Sequence, residues 1–156
     1  NREALSICVD TSLPAHRVIL ELDKLMEWRG KPEKIRSDNG PEFVAEAMRD
    51  WCERNSIEWE FIQPGKPTQN SLIERFNRTF RQDVLDSYMF ENLSEARRYA
   101  NAWVWMYNNV RSHSSLGQLA PTEFLLKYGK LSEFPTFQQD NNSESDWNSL
   151  VLGAAS

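Results

Sequence analysis

Two acidic side chains, Asp38 and Glu74, stand where a divalent cation could be held. Asp38 follows a short strand-like run centred on Lys34 to Arg36 and is backed by Asn39-Gly40, a strong turn signal. Glu74 falls on the charged flank of a helical stretch entered after a polar loop, and positions 39 to 73, 35 residues, separate the two acids. Carboxylate oxygens brought together bind hard divalent cations, and two such ions about 3.5 to 4 Å apart can activate an attacking oxygen and stabilise the leaving one at a phosphodiester. With 23 Asp and Glu in the chain, many pairs fall at any chosen spacing. Solvated surface acids are therefore the plainer reading of this pair taken alone.

The elements that must position the two acids can be followed along the chain. Ala4 to Val9 reads as a strand, with Leu5, Ile7 and Val9 alternating with Ser6 and Cys8. Pro14 then opens a helix whose Val18, Ile19, Leu22, Leu25 and Met26 recur at three-to-four-residue spacing, and Gly30 with Pro32 stops it. After the strand that leads into Asp38, a second helix carries Phe43, Ala47, Met48, Trp51 and Cys52 on one stripe, and Ile57 to Ile62 forms a third strand. Gln63 to Asn70 holds two prolines and a glycine and reads as a loop.

A long helix is expected from about Ser71. With Ile73 set at zero, Phe76, Phe80 and Val84 cluster within about 60 degrees of it, while Glu74, Asn77, Arg78 and Arg81 occupy the flank at roughly 40 to 140 degrees. A further helix from about Ser94 to Val110 has Ala96, Tyr99, Ala100, Trp103, Val104 and Tyr107 on one stripe, and Pro121 starts a last short helix through Tyr128. From Ser132 to Ser156 no period survives and the composition turns to Ser, Asn, Gln and acids, so a disordered acidic tail is expected there. Strands alternating with helices imply an α/β sandwich.

Two blocks carry a family resemblance. Ser37-Asp38-Asn39-Gly40-Pro41-Glu42-Phe43, followed by Gln63-Pro64-Gly65-Lys66-Pro67-Thr68-Gln69-Asn70-Ser71-Leu72-Ile73-Glu74-Arg75-Phe76-Asn77, resemble the second-aspartate and glutamate blocks of the DDE transposase and retroviral-type integrase catalytic core. The 35-residue gap resembles that family's D(35)E spacing, and Arg81 resembles a basic residue kept two helical turns past the glutamate. Tyr107-Asn108-Asn109, then Arg111 to Leu116, then Ala120-Pro121-Thr122-Glu123-Phe124 look like the closing segment of bacterial insertion-sequence transposases. The likeness covers about residues 1 to 130.

That resemblance implies a ribonuclease H-like three-layer α/β fold, a mixed sheet with helices on both faces whose first strands are missing. Residues 1–131 would be a partial integrase catalytic core. It implies Asp38 and Glu74 as catalytic residues and ligands of Mg²⁺ or Mn²⁺, with Lys66, Arg78 and Arg81 meeting DNA phosphates without reading sequence. The implied partners are transposon-end and target DNA and, in the intact protein, further copies of itself. The implied setting is the bacterial cytoplasm, associated with the nucleoid, with no membrane.

One departure stands against the match. The family's first aspartate lies on the order of 50 to 60 residues before the second, and the acids available before Asp38 are Glu3, Asp10, Glu21, Asp23, Glu27 and Glu33. Asp10 is the tempting substitute, but it corresponds to the third strand of the family. Together with a start at Asn1, this reads as a chain cut at its front end, a fragment that is inactive by itself. The rival readings are a transposase-derived domain acting through DNA binding or oligomerisation, and a nuclease of the same superfamily without strand transfer.

Bulk properties narrow the field further. The net charge of −5 argues against a protein that holds nucleic acid by a general positive excess. Its distribution is uneven: residues 1–64 carry 9 Lys and Arg against 13 acids, 65–131 carry 9 against 6, and 132–156 carry none against 4. The middle third is where a polyanion is tolerated. Cys8 and Cys52 have no partner at metal-ligand spacing and read as reduced thiols, His113 reads as structural instead of zinc-binding, and Trp103, Trp105 and Tyr107 read as core or subunit contact before base stacking.

Overall fold

The computed structural model describes residues 2–37, 46–62, 67–129 and 150–152, with only the backbone course given for 67–70 and 150–152. Helix α1 (Ala15–Arg29) starts behind extended Pro14, whose carbonyl accepts the Arg17 N–H at 2.8 Å. It buries Val18, Leu22 and Leu25 and ends at Gly30, where φ is +85° and the N–H donates to the Met26 carbonyl at 2.9 Å. A side chain would be strained at that φ, and glycine is not.

Strand β1 (Lys34–Ser37), helix α2 (Glu46–Arg54) and strand β2 (Glu58–Phe61) follow. The two strands run parallel, in register from Lys34 beside Glu58 to Ser37 beside Phe61. Ile35 and Ser37 are fully buried, and Ile35 belongs to one core cluster with Leu22 and Leu25 of α1, Met48 and Trp51 of α2 and Ile57 just before β2. Lys34 and Arg36 point the other way and each reach the Glu60 carboxylate at 2.7 Å. The strand period of two thus separates an apolar from an ionic face.

A second core forms from helix α3 (Pro67–Phe80), a π-helical stretch (Arg81–Leu85) and helix α4 (Leu93–Asn109). Phe80, Val84, Ala100, Trp103 and Tyr107 are its buried centre. Phe76, Phe80 and Tyr107 lie within 5.3 Å of Trp103, ring centre to ring centre. Helix α4 is capped by the Asn92 side chain, which accepts the Glu95 N–H at 2.9 Å. A short 3-10 turn (Ser114–Leu116) and helix α5 (Pro121–Tyr128) complete the described helices, and α5 packs on α4.

Several expectations need revision. Ala4 to Val9 is not in a strand: Asn108 of α4 bonds both the N–H and the C=O of Ala4 at 2.8 Å, and the Arg97 Nε donates to the Val9 carbonyl at 2.9 Å. The apolar alternation marks a half-buried segment, with Leu5 packed on the first core and Ala4, Ile7 and Val9 on the second, but a ladder also needs a neighbouring strand. Helix α3 begins at Pro67, four residues before the expected Ser71, because proline at a first helical turn loses nothing. Its continuation adopts i to i+5 bonding, the Asp86 N–H reaching the Arg81 carbonyl at 2.8 Å, which helical periodicity does not forecast.

The described strands are all parallel, in the order β2-β1-β3, where β3 (Leu150–Leu152) pairs with Ile35 to Ser37. These three residues are strand, where the whole of 132–156 was expected to be an irregular acidic tail. The remainder of that segment lies outside the described residues, as do the Asn39-Gly40 turn, Phe43 and the loop over 63–66. No helix among the described residues is long and apolar enough to cross a membrane.

Candidate metal and nucleic-acid site

The parallel pairing of β1 and β2 fixes where the candidate residues leave the sheet. Both strands end at the same edge, Ser37 level with Phe61, and the Ile62 N–H still reaches the Ser37 carbonyl at 2.9 Å. Asp38 follows Ser37 directly in the chain, and α3 starts five residues past Ile62. The segments on either side of Asp38 and Lys66 thus depart from the carboxyl ends of adjacent parallel strands, the place where open α/β sheets bind ligands. Ser37 is fully buried although polar, and its hydroxyl accepts the Trp59 indole N–H at 2.9 Å, which anchors the last residue before Asp38.

Glu74 is the eighth residue of α3, about 10 Å along the axis from its start. Glu74, Arg78 and Arg81 recur at four and three residues and are all exposed, while Phe80 on the opposite flank is buried. An acid and two bases therefore share one solvent-facing stripe of this helix and its π-helical extension. Asp38 and Lys66 lie outside the described residues, so of the five residues singled out the structure places these three. Among the described residues, no three of His, Cys, Asp and Glu stand together as a ready metal cage.

Asp10 has a different occupation. Its carboxylate accepts the Thr11 N–H at 2.9 Å, pairs with Arg17 at 2.7 Å and with Arg97 at 3.3 Å. The Thr11 bond, then the Arg17 guanidinium, hold it below the usual carboxylate range. Two guanidiniums already balance the charge a cation would need. Local sequence gave no sign of this clamp, since Arg97 is 87 positions away from Asp10.

The remaining reactive side chains read as structural. Burial pushes the Cys52 thiol up to about 11 and raises that of Cys8, so neither is poised as a thiolate nucleophile. His113 stands edge-on to Tyr107 at 4.9 Å, and burial, followed by Arg111 and Arg2, depresses its pKa and keeps it neutral. Trp103 and Tyr107 are core, whereas Trp105 is exposed. The apolar stripe of α4, which runs through Trp103 and Tyr107 and not through Trp105, sorts them the same way.

Comparison with known proteins bears on this arrangement. Two models, each described as an integrase core domain, match residues 1–67 and 55–121. The 31.7 kDa protein of insertion element IS407 from Burkholderia multivorans is 40% identical over 139 residues, covering 89% of this chain and 50% of its own length. The chain thus spans half of that curated relative. Among solved structures, the catalytic core domain of BIV integrase is similar at a TM-score of 0.58 and 25% identity, covering 77% of this chain and 76% of that one. The HTLV-2 integrase catalytic core domain in complex with magnesium, in a dimeric form, is similar at 0.51 and 22% identity, over 70% of this chain and 69% of that one.

Proposed function

Since the chain belongs to the integrase core domain family and has its ribonuclease H-like α/β fold, we propose that it is the core portion of an insertion-sequence transposase. Its substrate would be DNA, and its chemistry the metal-dependent cleavage and joining of phosphodiesters. The observation that carries the reading is the shared edge: β1 and β2 end level, one running into Asp38 and the other leading through Lys66 to the helix that bears Glu74. Carboxylate oxygens are hard donors suited to Mg²⁺ or Mn²⁺, and Asp38 and Glu74 would be the ligands. The neighbour solved with magnesium supports a divalent ion of this kind. Bound there, the ion would supply Lewis acidity at the phosphorus–oxygen bond.

The chain's own residues have distinct parts in this proposal. Asp38 and Glu74 would hold the scissile phosphate in place through the ion. Lys66, Arg78 and Arg81 would meet backbone phosphates, setting register without reading bases. Copies would associate with one another, a reading supported by the dimeric form of the similar HTLV-2 core. Asp10, tied to Arg17 and Arg97, is not a third ligand in this reading.

Titration with Mn²⁺, followed by paramagnetic broadening of backbone amides, tests the site directly. Weak binding is expected, with broadening confined to the ends of β1 and β2 and the middle of α3, and lost in Asp38→Asn and in Glu74→Gln. Broadening that persists in both variants would remove the assignment. The phosphate contacts are tested by salt: changing Arg78 and Arg81 together to Ala is expected to lower the slope of log affinity against log salt by about 1.8 for duplex DNA, about 0.9 for each lost contact. An unchanged slope would make them ordinary surface bases.

A further inference from the structure

Among the described residues one polar side chain is fully buried, that of Ser37, the last residue of β1. Burying a hydroxyl costs free energy unless it is hydrogen-bonded, and an apolar residue would fill a strand position without that cost. Here the hydroxyl accepts the Trp59 indole N–H at 2.9 Å, and the Ser37 carbonyl accepts the Ile62 N–H, also at 2.9 Å. In the parallel register Trp59 stands beside Ile35, so the indole reaches diagonally across the ladder to the next inward residue of β1. Main chain and side chain together thus tie Ser37 to β2, at the point where β1 gives way to Asp38. The indole has little freedom of its own, since it packs against the first core and the Phe61 ring lies 4.5 Å from it, centre to centre. On the other face of the sheet Arg36 also reaches β2, through Glu60 at 2.7 Å, but both of those side chains are about a third exposed and their pairing is screened by salt.

We infer that Trp59 is a positioning residue for the metal site: through the Ser37 hydroxyl it fixes the end of β1, and with it the start of the segment that carries Asp38. The inference rests on the metal-ligand reading proposed above and adds a residue to it. A ligand held by a hydrogen-bonded support is confined to a narrow set of positions before the ion arrives. Loosening such a support lowers metal affinity by about 10- to 100-fold. Trp59 acts through the residue next to the ligand, so the lower end of that range, about tenfold, is expected. Were the bond only a way of satisfying two buried polar groups, its loss would weaken the fold and leave the ligand where it was. Trp51 supplies the comparison that separates the two cases. Its indole N–H also sits at the first core and donates to the Asp23 carboxylate at 2.9 Å, but that bond joins α2 to α1 and leaves β1 out.

Two measurements on the full chain form the test: Mn²⁺ titration read by amide broadening, and hydrogen exchange of the Ile62 amide in the metal-free chain. Trp59→Phe and Ser37→Ala are each expected to weaken Mn²⁺ binding by about tenfold. Each should also speed exchange at Ile62, whose acceptor is the Ser37 carbonyl. Because both substitutions cut one bond, the double variant should lose no more affinity than the worse single variant. Trp51→Phe should lower the urea midpoint by a similar amount and leave Mn²⁺ affinity and Ile62 exchange unchanged. Far-ultraviolet circular dichroism checks that each variant is folded. Equal weakening of Mn²⁺ binding by Trp51→Phe would make the effect one of overall stability and overturn the inference. So would additive losses in the double variant, which would mean that the two side chains act separately. Unaltered affinity in Trp59→Phe and Ser37→Ala, with binding still lost in Asp38→Asn, overturns the role of Trp59 and leaves the metal reading standing. A chain that binds no Mn²⁺ overturns both.

Discussion

Replacement of Trp103 by Ala is expected to destabilise the fold by about 3 to 5 kcal/mol, the range for removing a buried large aromatic. The indole is ringed by Phe76, Phe80 and Tyr107 at 5.1 to 5.3 Å, in tilted and edge-on arrangements. Its N–H also donates to the Asp83 carboxylate at 2.9 Å. Against a total stability of roughly 5 to 15 kcal/mol, such a loss leaves a marginal protein. Trp103→Phe keeps one aromatic ring but removes the N–H and the rest of the indole, so it should cost less than the alanine change, about 1 to 3 kcal/mol. Part of the Asp83 interaction survives in both variants, since Arg111 still reaches that carboxylate at 2.9 Å.

Urea denaturation measures both losses, and amide exchange locates them. The first core, built on Ile35, Met48 and Trp51, shares none of its buried residues with the Trp103 cluster. Faster exchange should therefore appear in α3 and α4 before it appears in β1 and α2. A loss below about 1 kcal/mol for Trp103→Ala would mean that the aromatic cluster is not the centre of the second core.

The same division explains what could be read from residues alone. Helices α1, α4 and α5 follow from local signals: Pro14 and Gly30 around α1, the apolar stripe from Ala96 to Tyr107 in α4, and Pro121 at the start of α5. Strand β1 showed as a short run ahead of the Asn39-Gly40 turn signal, and β2 in the period of two from Ile57 to Ile62. What did not show depends on partners far along the chain. Ala4 to Val9 has the alternation of a strand, but its ends bond to Asn108 and Arg97, more than 80 positions on. Leu150 to Leu152 pairs with β1 although its surroundings gave no strand period.

Legibility of the site divides along similar lines. The helical angle that set Glu74, Arg78 and Arg81 apart from Phe80 agrees with their exposure, because the α-helical period runs without interruption from Glu74 to Phe80. The π-helical stretch starts only at Arg81, after most of that stripe is laid down. Periodicity also set Trp105 apart, since the apolar stripe of α4 runs through Trp103 and Tyr107 and leaves Trp105 out, and their burial agrees with it.

In a DNA-joining assay with pre-cut ends, this chain by itself is expected to give no product above background. A paired-ion clamp at a phosphodiester contributes several kcal/mol to the transition state, and each 1.36 kcal/mol is about tenfold in rate. Two proposed ligands, Asp38 and Glu74, would hold one ion weakly, so a deficit of about a thousandfold or more against a site with three carboxylates would follow. The acid most tempting as a third ligand is Asp10, yet its oxygens are committed to Arg17 and Arg97 and to the Thr11 N–H. Pulling it free would strand two guanidiniums, and Arg97 would lose part of what holds it against the Val9 carbonyl. Joining that vanished with Asp10→Asn would show that this clamp opens and that Asp10 ligates after all. Joining that persisted in both Asp38→Asn and Glu74→Gln would instead move the chemistry to other residues altogether.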